Sequence, residues 1–489
     1  MFIGRERERA DLEDLIASDK SEFVAVYGRR RIGKTFLIRE TCRYQFAFEH
    51  TGLKNTVADE DGREAPVRDA TRKQLAEFAV SLRRYGRVKK SVPKDWFAAF
   101  HLLEDLLDEK PDGRKVVFLD ECPWMDTPRS DFLAALDHFW NGWCTMRRDI
   151  VLIICGSAAS WVMNKVDDDV GGLHNRLSRH IYLRPFTLHE CEEFARVKGV
   201  VLNRMQLLEC YMILGGVPYY WDLLRRDMGM AQNIDALLFA QGAELRREYG
   251  HLYASLFRNP EPYVAVIRAL SRRKCGMTRD EIIRFAGIPG NGKLTEMLKV
   301  LEQCDFIRAY SVPGKEKHER VFQLVDNFTL FYFRFIEGQE NPPPDYWRTF
   351  SGTQEARIWR GLAFERIALL HVDQIKRKLG ISGVITRQYA WRCRARDLEG
   401  EGAQVDLVIE RNDAVTNLCE MKCTAEPFEI TDVYGTKLRG RRETFLTETG
   451  TRNAVHLTMV SANGLKRNAN AFDIQSVVTL DDLFNDLTW

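Results

Sequence analysis

Gly28-Arg29-Arg30-Arg31-Ile32-Gly33-Lys34-Thr35 matches the pattern GxxxxGKT, with a lysine and a hydroxyl directly after the second glycine. Backbone N–H groups of such a loop, here at Gly28, Arg31 and Gly33, cradle phosphate oxygens at a helix N-terminus. Lys34 then neutralises the β- and γ-phosphates and the Thr35 hydroxyl ligates magnesium. A second pattern, Val116-Val117-Phe118-Leu119-Asp120-Glu121, is an apolar run that ends in two acids. At a strand end Asp120 can hold the magnesium and Glu121 can polarise an attacking water, which would give hydrolysis a metal site and a base. On its own such a pair is also what a solvated turn looks like; beside a phosphate loop it reads as chemistry.

A third constellation lies far downstream. Gln404-Val405-Asp406-Leu407-Val408-Ile409 is an apolar strand carrying one acid, and after the turn-forming Arg411-Asn412-Asp413 comes Leu418-Cys419-Glu420-Met421-Lys422. Adjacent strands can bring Asp406 to Glu420, and Glu420 and Lys422, two apart, point to the same face. Gly361-Leu362-Ala363-Phe364-Glu365 is expected to open a helix over Arg366 to Lys376 and to add Glu365 to the cluster. Clustered carboxylates suit hard divalent cations, with Glu365, Asp406 and Glu420 as the ligands and Lys422 as the group that stabilises or activates. A bare DxnExK pattern is equally what alternating solvent-facing charges produce.

These residues need elements to hold them. Apolar runs at Phe23 to Tyr27, Lys115 to Leu119 and Ile150 to Cys155, with the amphipathic stretch Asp131 to Cys144 between the last two, predict strands alternating with helices. That alternation implies a mostly parallel, helix-covered sheet. Lys54 to Asp69 is polar and contains Gly and Pro, and reads as a loop or an insertion in that sheet, not a domain boundary. From Thr187 to Phe257 the pattern is helical, interrupted at Gly215-Gly216-Val217-Pro218. Three helices follow, Tyr263 to Ser271, Arg279 to Phe285 and Lys293 to Gln303, and then a hairpin turning near Pro313-Gly314-Lys315: the outline of a winged helix-turn-helix. In that outline Lys293, Thr295 and Lys299 lie on the recognition helix, and Lys315, Lys317, His318 and Arg320 on the wing. An interdomain connector would have the same outline. Arg272-Arg273-Lys274 and Arg83-Arg84 are basic runs too short to interpret singly. Pro342-Pro343-Pro344 marks a linker.

The expected fold is therefore multidomain α/β: a P-loop NTPase core with a parallel sheet over 1–186, a helical lid over 187–257, a winged helix-turn-helix over 258–340, a Pro-rich linker over 341–345, and a C-terminal α/β domain over 346–489. The 489 residues suffice for several cores. With 72 basic against 70 acidic residues, the net charge of +2 argues against attachment to nucleic acid or anionic membrane by bulk charge, and any polyanion contact must be local. Eleven irregularly spaced cysteines without a CxxC pair read as reduced, mostly buried thiols. No apolar run has the length of a membrane span and no signal core opens the chain, so a soluble cytoplasmic protein is expected.

Phe2-Ile3-Gly4-Arg5-Glu6 ahead of the phosphate loop, with Asp120-Glu121 and Cys155-Gly156-Ser157 at strand ends, resembles the AAA+-related archaeal and bacterial ATPases over roughly residues 1 to 230. The resemblance implies that Gly4 and Arg5 approach the adenine of ATP and that Ser157 senses the γ-phosphate. Asn175-Arg176-Leu177 before Leu183-Arg184-Pro185-Phe186 is similar to that family's arginine-bearing segment. Arg176 is then the finger candidate, acting in trans within a homo-oligomer, with Arg179 second; both are also compatible with ordinary surface arginines. The order GxAFE, VD, ExK looks like the PD-(D/E)xK nuclease fold, and its place behind an ATPase and winged helix is similar to archaeal ATPases with a DUF234-type C-terminal domain. By that resemblance Asp406, Glu420 and Lys422 fall on the catalytic triad and Glu365 on the accessory acid, although no Pro precedes the first acid and Gln404 stands where Glu is frequent. The implied cofactors are ATP and Mg2+, with Mn2+ as a substitute at the nuclease site, and the implied partner is DNA. The expected activity is ATP hydrolysis that regulates phosphodiester cleavage; the alternative is an ATP-driven switch or remodelling protein that binds DNA or a protein partner without cutting.

Overall fold

The computed structural model describes residues 3–54, 56–58, 64–66, 69–87, 91–157, 161–163, 176–257, 259–311, 320–339, 341–343, 345–393 and 403–486. These form two compact units, Met1–Pro185 with Ala254–Arg258, and Phe186–Tyr253 with Asn259–Trp489.

The first unit is built on strands β1 (Glu22–Gly28), β2 (Phe48–Thr51), β5 (Lys115–Asp120), β6 (Ile150–Gly156) and β7 (Arg179–Leu183), in the order β2-β5-β6-β1-β7. Every pairing in this sheet is parallel. All residues of β1, β5 and β6 are buried, as a parallel sheet covered on both faces requires. Val24, Val26, Phe118, Ile153 and Cys155 pack on one face with Leu12, Leu37 and Ile38 of flanking helices. The stretch expected as a loop or insertion contains a two-stranded antiparallel hairpin, β3 (Thr56–Ala58) with β4 (Glu64–Pro66). Three-residue strands are too short for alternation to reveal.

In the second unit, helices Leu188–Lys198 and Arg204–Leu214 begin with capping boxes at Thr187 and Asn203. The second helix ends at Gly215, φ 63°, and Pro218 starts the next. Gly216 is required by a close approach: a Cβ there would stand 1.9 Å from the Phe186 carbonyl oxygen, and the Phe186 N–H donates to the Gly216 carbonyl at 2.6 Å. Helices Pro260–Ser271, Arg279–Ala286 and Gly292–Gln303 pack with a three-stranded antiparallel sheet, β8 (Met277–Thr278), β10 (Arg320–Leu324) and β9 (Ile307–Ser311), in the order β8-β10-β9. The expected turn at Pro313-Gly314-Lys315, with Lys317 and His318, lies outside the described residues, as do Pro344, Phe2 and Asn175.

The C-terminal sheet runs β11 (Thr386–Cys393), β12 (Ala403–Arg411), β13 (Val415–Lys422), β14 (Ala454–Ser461), β15 (Ser476–Val478). Pairing is antiparallel from β11 to β13 and parallel from β13 to β15. The helix expected to start after Glu365 is instead the middle of a longer one, Gln354–Leu370, capped by Thr353. It breaks at His371 and resumes as Val372–Lys378. At the break the His371 ring is fully buried, donates from Nδ1 to the Ile367 carbonyl (2.8 Å) and accepts the Leu188 N–H at Nε2 (3.0 Å).

The segments expected to be separate after residue 186 are joined by buried polar ties. Asp235 accepts the Trp347 N–H at 2.6 Å, Asn327 donates to the Tyr211 carbonyl, and Arg360 pairs with Glu209 at 3.0 Å. The prolines at 342 and 343 thus sit within one compact unit. No disulfide forms among the described residues, and only Cys275, Cys393 and Cys423 are more than buried thiols. No described helix is long and apolar enough to cross a membrane.

Candidate functional sites

In the first unit, β1 and β6 pair in register to Tyr27↔Gly156, and β5 and β6 to Leu119↔Ile154. This alignment brings Gly28, Asp120 and Ser157 to the carboxyl edge of the parallel sheet, where ligands bind in open α/β folds. Gly28 has φ 144°, and a Cβ on it would stand 2.4 Å from the Leu183 carbonyl oxygen, so the loop can turn there only as glycine. Arg31 (φ 67°) and Gly33 (φ 90°) complete the turn, and Gly33 caps the helix Lys34–Thr41.

Lys34 is buried, its ammonium donating to the Gly28 and Arg29 carbonyls at 3.0 and 2.9 Å. The Thr35 hydroxyl donates to Asp120 Oδ2 at 2.9 Å, while Asp120 Oδ1 accepts the Glu121 N–H. Glu121, at φ 50°, is turned back so that its Oε2 accepts both the Ser157 hydroxyl (3.0 Å) and the Ser157 N–H (3.3 Å). A hydroxyl and one carboxylate beside a phosphate loop form a donor set that fits magnesium, which keeps waters and shares substrate phosphates. Gly4 (φ 67°) and Arg5 (φ 63°) precede the helix Glu6–Ala17; Arg5 is buried, donates to the Arg184 carbonyl and pairs with Glu8. That ties the N-terminus to the end of β7. Arg176 is exposed, and Arg179 pairs with Asp11 at 3.4 Å.

In the second unit, continuing the Leu407↔Cys419 register by one residue sets Asp406 opposite Glu420. Lys422 donates to Glu420 Oε1 at 2.8 Å; Tyr434 donates to the same oxygen, and Arg441 donates to Oε2. Glu365 and Asp406 meet a different cation. Lys274 pairs with Glu365, and its Nζ lies 3.5 Å from Asp406 Oδ1.

The electrostatics follow these partners. Burial, with the Asp406 charge beside it, pushes the Glu365 carboxyl up to about 7 despite Lys274. Burial raises Asp406 as well, opposed by Lys274. Burial would also raise Glu420, but Lys422 and Arg441 overcome it and hold the carboxyl below its ordinary range. Burial lowers Lys422, and Glu420 and Tyr434 more than reverse this, so it stays a firmly protonated ammonium. Among the described residues no three His, Cys, Asp or Glu side chains gather as a set able to hold a metal ion. In this arrangement each acid has a cationic partner: Lys274 stands by Glu365 and Asp406, and Lys422 and Arg441 pair with Glu420.

Residues 2–224 match the model of an ATPase domain found predominantly in Archaea. The N-terminal part of the chain is thus similar to archaeal-type ATPase domains. An uncharacterized protein of Methanocaldococcus jannaschii is 26% identical over 352 residues, covering 69% of each chain. Among solved structures, a Walker-type ATPase of Pyrococcus abyssi covers 68% of this chain and 96% of its own at 16% identity and TM-score 0.47. The ORC2 protein of Aeropyrum pernix, with ADPNP and ADP, covers 67% and 93% at 16% identity and TM-score 0.41. Both scores lie below 0.5, so neither likeness bears on what this chain does.

Beyond the ATPase domain, sequence reading missed Tyr434, Arg441 and the role of Lys274. The first two sit seven apart on the helix Asp432–Thr449, a spacing that returns to the same face after two turns and so was available as a signal. Lys274 gave no such signal: its partners lie at positions 365 and 406.

Proposed function

We propose that the protein binds and hydrolyses ATP in its first unit and uses that cycle to control a DNA-directed, phosphodiester-cleaving second unit. The observation that carries the first half is the chain of contacts Thr35 to Asp120 and Glu121 to Ser157 beside the buried Lys34. In this reading Lys34 takes phosphate charge, Thr35 and Asp120 would hold Mg2+, and Glu121 accepts the proton of the attacking water. Bound there, Mg2+ would neutralise phosphate charge. Ser157 orients Glu121 through two hydrogen bonds to one carboxylate oxygen. Arg176, exposed, is the candidate for completing a neighbouring copy's site.

For the second unit the support is the shared strand pair that holds Asp406, Glu420 and Lys422, with Lys422 protonated and so able to stabilise anionic charge on a phosphodiester. We read the β8-β10-β9 sheet and its three helices as a winged helix; Lys293, Thr295 and Lys299 are exposed on the helix Gly292–Gln303. One observation favours the second reading, a nucleotide-driven switch that binds DNA or a protein partner without cutting: every acid of the cluster is already engaged by a cation.

Cleavage of linear, branched and single-stranded DNA in Mg2+ or Mn2+, with and without ATP, separates the two. Loss of cleavage in Lys422→Ala supports the nuclease, and its change in Lys34→Ala supports control by ATP. ATP hydrolysis without cleavage of any substrate selects the switch.

A further inference from the structure

We infer that Lys274 is an intramolecular counter-ion that closes the carboxylate site, holding the place between Glu365 and Asp406 that a divalent cation would take. This rests on the reading of Asp406, Glu420 and Lys422 as a cation-dependent site.

The side chain comes from outside the C-terminal sheet. Lys274 lies between the helix Pro260–Ser271 and β8, in a chain segment whose backbone is clamped. Gln323, buried on β10, donates from Nε2 to the Lys274 carbonyl, and its Oε1 is fixed by a 2.7 Å bond from Arg308. Tyr310 of β9 donates to the next carbonyl, Cys275, at 2.7 Å, and its ring packs on the hydrophobic core of the C-terminal sheet. Arg392 of β11 reaches the Cys275 sulfur at 3.2 Å. Gly276 follows at φ 77°, where a Cβ would stand 2.4 Å from the Phe322 carbonyl oxygen. The ammonium is thus delivered by a braced turn, not by a wandering surface chain.

Its destination is equally specific. Glu365 and Asp406 are about nine-tenths buried, at 13% and 11% side-chain exposure, and Lys274 itself is 32% exposed. Two carboxylates this close and this buried cannot both stay charged without a positive charge beside them, and the ammonium supplies one of the two charges that a divalent ion would bring. Lysine and a divalent cation therefore compete for the same oxygens. Removal of the lysine charge would leave the acids uncompensated and raise their affinity for the cation.

Mn2+ titration of the full-length protein without nucleotide, read by the electron paramagnetic resonance of free Mn2+, tests this on wild type, Lys274→Met, Asp406→Asn and Lys274→Met/Asp406→Asn. The expected result is one site per chain at least tenfold tighter in Lys274→Met than in wild type, lost again in the double variant, with metal-dependent DNA cleavage raised in parallel. Wild type binding Mn2+ through Asp406 as tightly as Lys274→Met overturns the counter-ion and leaves the cleavage reading standing. No Asp406-dependent binding in any protein overturns the cation site itself, and the counter-ion with it. If circular dichroism shows that Lys274→Met does not fold, Gln323→Ala, which loosens the Lys274 backbone but keeps its charge, takes its place. A gain of Asp406-dependent Mn2+ affinity in that variant supports the counter-ion, and an unchanged affinity overturns it.

Discussion

The Ser157 hydroxyl and N–H both point at one oxygen of Glu121, at 3.0 and 3.3 Å, so the acid that follows Asp120 is held by the end of the neighbouring strand. If Glu121 is the base, Ser157 sets where its carboxylate points. Glu121→Gln should lower the turnover of ATP by about a hundredfold. Ser157→Ala should lower it by about tenfold, near 1.4 kcal/mol of barrier, with little change in KM. Steady-state phosphate release checks both; equal KM and kcat to wild type in Glu121→Gln would remove it from the chemistry.

Gly28 permits the phosphate loop to leave β1 against the Leu183 carbonyl. Gly28→Ala must move backbone at one of the two places, at a cost of more than about 2 kcal/mol. Nucleotide binding by isothermal titration should vanish while the second unit's unfolding transition stays where it was.

His371 is buried neutral, and burial lowers its pKa to about 4. A base held neutral in the folded chain stabilises fully above the unfolded value near 6.5 and loses that contribution as pH falls through this window, by roughly 3 kcal/mol in all. The urea midpoint of the second unit should therefore drop between pH 6.5 and 4, and His371→Gln should flatten that part of the profile. His50, buried beside Ser81 and lowered to about 4 for the same reason, predicts the same trend in the first unit.

With Arg176 as a finger in trans, ATP turnover per chain should rise with protein concentration. Arg176→Ala should abolish the rise and leave ATP binding intact. A rate independent of concentration in wild type, measured across the range where sedimentation shows self-association, would reject the assignment.

What could be read from sequence was whatever local pattern determines. The glycines and lysine of residues 28 to 35, the apolar runs of β1, β5 and β6, and the helix Gly292–Gln303 all follow from spacing within a dozen residues. The register that brings Asp406 toward Glu420 followed from a short hairpin whose turn ends at Ala414, φ 62°. Long-range facts were invisible. Glu365 lies inside a helix that runs through Gly361, and at the end of that helix the ring of His371 meets a backbone partner 183 positions away at Leu188. Lys274, one cation in a run of three, acquires meaning only from acids brought to it by tertiary packing.

The crossing of Phe186 and Gly216 is made by main-chain atoms on both sides, yet its demands on heredity are lopsided. At 186 any residue but proline offers the same carbonyl and N–H, and the ring's packing against Phe194 favours bulky apolar types. At 216 nothing with a side chain fits. A saturation library scored for soluble protein should therefore show a tolerant position facing a forbidden one, with the intolerance written thirty residues away from the atom that causes it.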